Sequence, residues 1–227
     1  MMAENSQNTS YIIVTDFDGT LTEKDVGNEL SMLYRPQLFQ ELHASYSRGE
    51  LRLREFQQQL WTGFPCSESE FVHSSLKAAS LRPGVNEFLE LCAHKEIPVY
   101  IASCGIDLYI TSVINRFMSK FAQAAIKGLK SNIARFDEKS ITTLIPPDQD
   151  QTQAEPLHKG RWAQELSQKH AGAKVIAIGN GGSDKTFLHH VDKIYATEKL
   201  IKTCENAQVD FEPFHNFFDI LKTCPLK

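Results

Sequence analysis

The apolar run Tyr11-Ile12-Ile13-Val14 is unbroken and ends in polar residues, a pattern that predicts a strand buried on both faces. Residues 97–102, Ile-Pro-Val-Tyr-Ile-Ala, predict a second strand, and residues 174–178, Lys-Val-Ile-Ala-Ile, the clearest one after the first. Ala125-Ile126 predicts a short third strand, and residues 193–196, Lys-Ile-Tyr-Ala, a short one near the end. Between them, apolar positions recur at helical spacing. Val85, Phe88, Leu89 and Leu91 predict a helix over 84–94 behind Pro83, and Leu108, Ile110, Ile114, Phe117 and Phe121 one over 107–121. Further helices are predicted over 160–170 and 184–190. Strands alternating with helices predict an α/β fold with a parallel sheet covered on both faces. Right-handed crossovers bring the carboxyl ends of such strands to one rim, where sites in open sheets lie.

Residues 21–80 break the alternation. They predict helices at roughly 23–34, 36–47, 52–61 and 67–79 with no good strand among them, and Leu81-Arg82-Pro83-Gly84 then turns the chain back. The expected division is a core of residues 10–22 and 80–227 with a helical unit, 23–79, inserted after the first strand. Phe56, Trp61 and Phe64 are expected in the core of that unit. Residues 127–158 predict a second excursion, irregular apart from a possible hairpin arm at 140–145 and a loop rich in Pro and Gln at 146–156.

The 227 residues suffice for one sizeable core, and an apolar content of 41% is enough to fill it. Formal charge is −4, from 24 basic and 28 acidic residues well mixed along the chain, so no basic block is present to grip nucleic acid. No apolar run approaches membrane-spanning length, and the first ten residues are polar, expected to fray, and lack the regions of a signal peptide. Five cysteines without metal-ligand spacing argue against a disulfide framework. A reduced, cytoplasmic protein, monomer or homodimer, with neither nucleic-acid nor membrane partner, is the expectation. His189-His190 is expected to face solvent or a partner.

Candidate chemistry begins where the first strand ends, in Asp16-Phe17-Asp18-Gly19-Thr20. Alternation puts Asp16 and Asp18 on one side, Gly19 permits a sharp turn and Thr20 adds a hydroxyl. Two acids this close repel unless a cation or proton lies between them, and Mg²⁺, which takes a few hard oxygens and leaves room for a substrate phosphate, is the expected cation. Strand two ends in Ala102-Ser103-Cys104-Gly105, where a hydroxyl and backbone N–H groups can meet phosphate; Ser103 equally suits a helix cap, and Cys104 suits buried packing. His158-Lys159-Gly160 precedes the last long strand, and Gly179-Asn180-Gly181-Gly182-Ser183-Asp184 follows it.

Together these four segments resemble the motifs of the haloacid dehalogenase superfamily, mostly phosphatases, and the resemblance extends over nearly the whole chain. The branches it resembles are the phosphoserine phosphatases, which share a helical cap after the first motif, and the methylthiopentenyl-phosphate phosphatases of methionine salvage. The resemblance implies a Rossmann-like core with an inserted helical cap that closes over small substrates. It implies that Asp16 is the nucleophile that forms an aspartyl-phosphate, that Asp18 supplies acid–base chemistry, and that the Lys159 ammonium balances Asp16 and phosphate. It implies phosphate contacts from Thr20, Ser103, Cys104, Gly105, Gly181 and Ser183. Magnesium is implied on Asp16, the Asp18 backbone carbonyl and the residue at position 180, with Asp184 further out or moving inward. The family commonly has Asp at that third position; here it is Asn180, neutral although its carbonyl oxygen can ligate. Glu23 is placed to meet an amine or hydroxyl of the substrate, and Arg48, Arg52 and Arg54 are candidates for a second anionic group. The expected function is Mg²⁺-dependent hydrolysis of a small phosphorylated metabolite. The alternatives are phosphotransfer to another acceptor, or a degenerate phosphate-binding protein weakened by Asn180.

Overall fold

A computed structural model of the chain describes residues 10–226. The residues expected to fray at the amino end lie outside this range, apart from Ser10. The predicted first strand is β1 (Tyr11–Thr15), and it forms the middle of a seven-stranded sheet. On one side it pairs in parallel with β2 (Val99–Ile106), on the other with β5 (Lys174–Gly179). The full order is β4-β3-β2-β1-β5-β6-β7, with β3 at Ile126–Phe136, β4 at Ile141–Ile145, β6 at Lys193–Ala196 and β7 at Glu212–Pro213. All neighbours run parallel except β3 and β4. Ile12, Ile13 and Val14 are buried, as a central strand covered on both faces requires.

Helices α5 (Val85–His94), α6 (Asp107–Phe117), α7 (Lys120–Ala125), α8 (Lys159–Lys169), α9 (Glu198–Ala207) and α10 (Phe217–Thr223) complete the α/β layers. The helix predicted over 107–121 is two helices, since Ser119 interrupts the first and caps the second, its side chain accepting from the Ala122 N–H. The helix predicted at 184–190 is a single 3₁₀ segment, Gly182–Phe187.

Between β1 and α5 the chain forms α1 (Val26–Tyr34), α2 (Pro36–Ser47), α3 (Leu53–Trp61) and α4 (Glu68–Ala78). This insertion has an aromatic core: Trp61 lies 4.7 Å from Phe64 between ring centroids, and Phe71 meets both edge-on. Phe56, Trp61 and Phe64 are buried there, as their spacing predicts.

The excursion at 127–158 corrects the reading of that stretch as irregular. Its first part is β3, eleven residues long rather than two, and Ser140-Ile145 is indeed a hairpin arm, β4. The hairpin braces the inserted helices: Phe64 bridges Ile141, and the Gly63 N–H donates to the Ile141 carbonyl over 2.7 Å. The loop beyond does the same, because Arg54 donates to the carbonyls of Asp148, Gln153 and Glu155. Among the described residues no helix is long and apolar enough to cross a membrane.

Candidate active site

Between the carboxyl ends of β1, β2 and β5 and the inserted helices lies a cleft of about 1030 Å³, room for a small metabolite. Asp16, Asp18, Glu23, Ser103, Cys104, Gly105, Asn180, Gly181 and Ser183 all line it. The topology explains the convergence, since adjacent parallel strands deliver three separate segments to one rim.

Asp16 directly follows the last residue of β1 and is 6% exposed. Its Oδ1 accepts from the Phe17 N–H at 2.7 Å and lies 2.9 Å from Lys159 Nζ. Lys159, the first residue of α8, is wholly buried. Its ammonium also lies 2.6 Å from Asp184 Oδ1 and so joins the two acids. Burial works against the charge of Lys159, but the two carboxylates outweigh it and hold the amine protonated, well above its ordinary range. Burial, followed by the charge of Asp184, pushes Asp16 up to about 7 against the pull of Lys159.

Asp184 does not reach the cleft. Its Oδ2 accepts from the N–H groups of Asn180 and Gly181, both at 2.9 Å, while Oδ1 faces Lys159. Asp184 thus lies behind the cleft wall, the further-out of the two places expected for it, with both oxygens bonded within the fold. Thr20 is also fully buried, with its hydroxyl directed to Asn180 Oδ1 at 3.3 Å rather than lining the cleft. Lys159 rests at the start of α8 because the His158 ring accepts from the Arg161 N–H and caps the helix. Gly160 allows α8 to press against the 3₁₀ segment that carries Asp184, and a Cβ there would fall on the Thr186 carbonyl oxygen. Gly160→Ala should therefore destabilise by about 1–3 kcal/mol through overpacking, read as a lower urea midpoint.

Asp18 is held from two directions. Its Oδ1 accepts from the Val26 N–H at 2.9 Å, and its Oδ2 accepts from the Tyr109 hydroxyl. Burial, then the charge of Asp25, raises its carboxyl well above the usual range. Tyr109 was not singled out by the sequence, yet Gly105 marks its place: a Cβ at 105 would overlap the Tyr109 hydroxyl and crowd Asp18. Ser103 accepts from the Gly105 N–H at 2.9 Å; it does not cap α6, whose preceding residue is Ile106. Burial pushes the Cys104 thiol up to about 12, consistent with packing rather than nucleophilic use. The Cys104 carbonyl accepts from Gln57 of α3 at 2.7 Å and from Asn132 of β3 at 2.5 Å, two further residues that the sequence did not reveal.

Glu23 is exposed at the cleft edge, where its Oε2 accepts from the Ser80 hydroxyl at 2.8 Å. Of the three arginines only Arg52 lines the cleft, and all three have partners. Arg48 bonds Glu50 and Arg52 bonds Glu55, each through two nitrogens, while Arg54 faces main-chain carbonyls.

A divalent cation finds suitable donors here. Among the described residues no hydrogen bond engages Asp16 Oδ2 or the Asp18 carbonyl, and Asn180 Oδ1 has only the long contact from Thr20. Three hard oxygens are thus available from a carboxylate, a peptide and an amide. No group of three or more His, Cys, Asp or Glu side chains that could hold a metal occurs among the described residues. The available set accordingly depends on a main-chain oxygen and the Asn180 amide.

Residues 13–189 match the model of the haloacid dehalogenase-like hydrolases. Over 216 residues the chain is 26% identical to a 2-hydroxy-3-keto-5-methylthiopentenyl-1-phosphate phosphatase of Lysinibacillus sphaericus, covering 93% of this chain and 92% of that protein. It is 25% identical to the phosphatase of the same name from Bacillus mycoides, covering 93% of this chain and 94% of that one. A substrate-bound phosphoserine phosphatase structure superposes with a TM-score of 0.72 at 15% identity, over 95% of this chain and 99% of that one. A haloacid dehalogenase family hydrolase from Salmonella enterica serovar Typhi gives 0.74 at 16%, over 95% of this chain and 72% of that one. With the family model matched over most of its length, the chain belongs to the haloacid dehalogenase-like hydrolases.

Proposed function

We propose that the protein is a Mg²⁺-dependent phosphomonoesterase that hydrolyses a small phosphorylated metabolite through an aspartyl-phosphate on Asp16. The observation that carries this is the contrast between its two cleft acids. Burial and Asp184 raise Asp16, but the buried ammonium beside it pulls back toward the carboxylate and holds it at about 7. Asp18, buried beside Asp25 with no cation paired to it among the described residues, is raised well above the usual range and favours a carboxylic acid. One serves as nucleophile and the other as proton donor.

In the first step Asp16 attacks phosphorus, and Asp18 gives its proton to the leaving oxygen of the ester. In the second, Asp18, now a carboxylate, takes a proton from the water that cleaves the aspartyl-phosphate. Tyr109 and the Val26 N–H fix the direction of the Asp18 side chain through both steps. Lys159, held by Asp184, keeps Asp16 oriented and offsets negative charge at the floor of the cleft. The Gly105 and Gly181 N–H groups already donate to Ser103 Oγ and Asp184 Oδ2, so the Ser103 and Ser183 hydroxyls and the Gly182 main chain, which line the cleft, are the groups offered to phosphate oxygens. Asp16, the Asp18 carbonyl and Asn180 would hold Mg²⁺, which would supply charge neutralisation in the cleft.

The cleft also bears on the substrate. Arg48 and Arg54 do not line the cleft, and Arg52, which does, is paired with Glu55, while Leu53, Phe56, Leu60 and Trp61 give one wall apolar character. This supports a phosphate ester with an uncharged, partly apolar body over an amino-acid phosphate, in keeping with the name of the sequence relatives. All five cysteines are free and buried, which supports residence in a reducing compartment such as the cytoplasm.

The test is phosphate release from a panel of phosphorylated metabolites, thioether keto-sugar phosphates and phosphoserine among them, with Mg²⁺ or with chelator. Mg²⁺-dependent release, slowed by roughly 10²–10⁴-fold in Asp18→Asn, is the expected result. Phosphate passed to an alcohol in preference to water would favour the transferase reading. Binding without turnover across the panel would favour a degenerate site.

A further inference from the structure

Asn180 raises a problem of orientation that an aspartate would not. A carboxylate presents an oxygen whichever way it turns, whereas an amide rotated by half a turn presents a donor and would repel a cation. Something must set the direction of the Asn180 amide if it is to serve as an oxygen donor. Its Nδ2 donates to Glu198 Oε2 at 3.1 Å, and its Oδ1 accepts from the Thr20 hydroxyl at 3.3 Å. Thr20 alone does not choose between the two orientations, because a hydroxyl can donate or accept. Glu198 does, because a carboxylate only accepts, and the reversed amide would set oxygen against oxygen.

Glu198 is also specially held. It opens α9 with a φ of 50°, a left-handed conformation that a long side chain adopts only under constraint. Its other carboxylate oxygen lies 3.5 Å from Arg82, which donates to the carbonyls of Gly19 and Thr20 in the turn that carries Asp18. Gly19, at a φ of 66°, is the residue against which Asn180 Nδ2 packs, and any Cβ there would overlap that nitrogen. The amide is thus enclosed by the turn on one side and directed by Glu198 on the other.

We propose that Glu198 is a positioning residue: it fixes the Asn180 amide with its oxygen toward the Asp16–Thr20 turn, so that a neutral side chain stands as an oxygen donor where the family's common pattern has an acid. The inference rests on the metal-dependent reading above.

The test is Mn²⁺ binding followed by the loss of the free-ion electron paramagnetic resonance signal, with thermal melts alongside to confirm folding. Glu198→Ala should weaken Mn²⁺ binding by about 10–100-fold, the usual worth of an outer group that orients a ligand. Glu198→Gln should retain most of the affinity, since its amide oxygen can still accept from Asn180. In the Asn180→Asp background the loss caused by Glu198→Ala should shrink, because a carboxylate needs no orientation. Equal losses in both backgrounds would overturn the proposal, as would a loss in Glu198→Gln as large as in Glu198→Ala, which would mean that charge alone matters. Unchanged affinity in Glu198→Ala would overturn it as well. If the wild-type protein binds no Mn²⁺, the metal-dependent reading itself fails and the inference falls with it.

Discussion

Asp16→Asn should lose phosphate release entirely while keeping, or slightly gaining, stability. The expected loss exceeds the roughly 10²–10⁴-fold worth of a positioned general acid, because without the carboxylate no covalent intermediate can form. The fold should tolerate the change because the amide is close in shape, and Lys159 retains Asp184 as its partner at 2.6 Å. Burial and the neighbouring Asp184 already disfavour the ionised form of Asp16, so removing its charge relieves an unfavourable contact. Hydrolysis of an aryl phosphate measured beside a thermal melt checks both halves. A folded variant with wild-type turnover would rule out Asp16 as the nucleophile.

Lys159→Ala should be damaging in both respects. A lysine at the start of a helix, read from sequence, suggests an exposed ammonium near the substrate. In the structure it is fully buried between two carboxylates, and its loss strands both. Breaking a buried pair in this way costs about 3–5 kcal/mol, readable as a shift of the urea midpoint. The deficit should depend on pH with a definite sign. Asp16 titrates near 3.8 in an ordinary setting and at about 7 in the fold. A carboxyl raised on folding contributes stability that is present below its unfolded pKa and lost as pH rises through the folded one. Without the ammonium the folded value rises further, so the two folded proteins differ in proton content only above about pH 7, and the variant's deficit should be level below that pH and widen as pH rises above it. A deficit that stays level above that pH as well would mean that Lys159 acts through packing rather than charge.

What the sequence could reveal depended on whether a residue's role was set locally. β1 and β5 are central and buried on both faces, so nearly every residue in them is apolar and the pattern is plain. β3 lies next to the sheet edge. Lys127, Lys130 and Arg135 interrupt its apolar positions, its first part pairs with β2 and only its last four residues with β4, and both pairings are made by the tertiary fold. The four motif segments were legible because each places its chemistry beside a strand end or helix start. Tyr109, Gln57, Asn132 and Glu198 were not, because each reaches the site only through the tertiary fold, and a tyrosine at helical spacing otherwise reads as core. The arginines erred in the opposite direction. Their charge was visible, but not the bonds that occupy them, two within three residues along the chain and one to a distant loop.

The placement of β1 also governs how the protein can be made. A ribosome supplies β2, its neighbour on one side, well before β5, its neighbour on the other. Until Lys174–Gly179 has left the exit tunnel, the most apolar strand of the molecule keeps an open edge, and Asp16 waits beside it for an ammonium that arrives only with residue 159. Nascent chains halted between β4 and α8 should therefore be sticky, protease-sensitive and dependent on chaperones. Release from that state should come abruptly, when one late segment closes the sheet and neutralises the acid together.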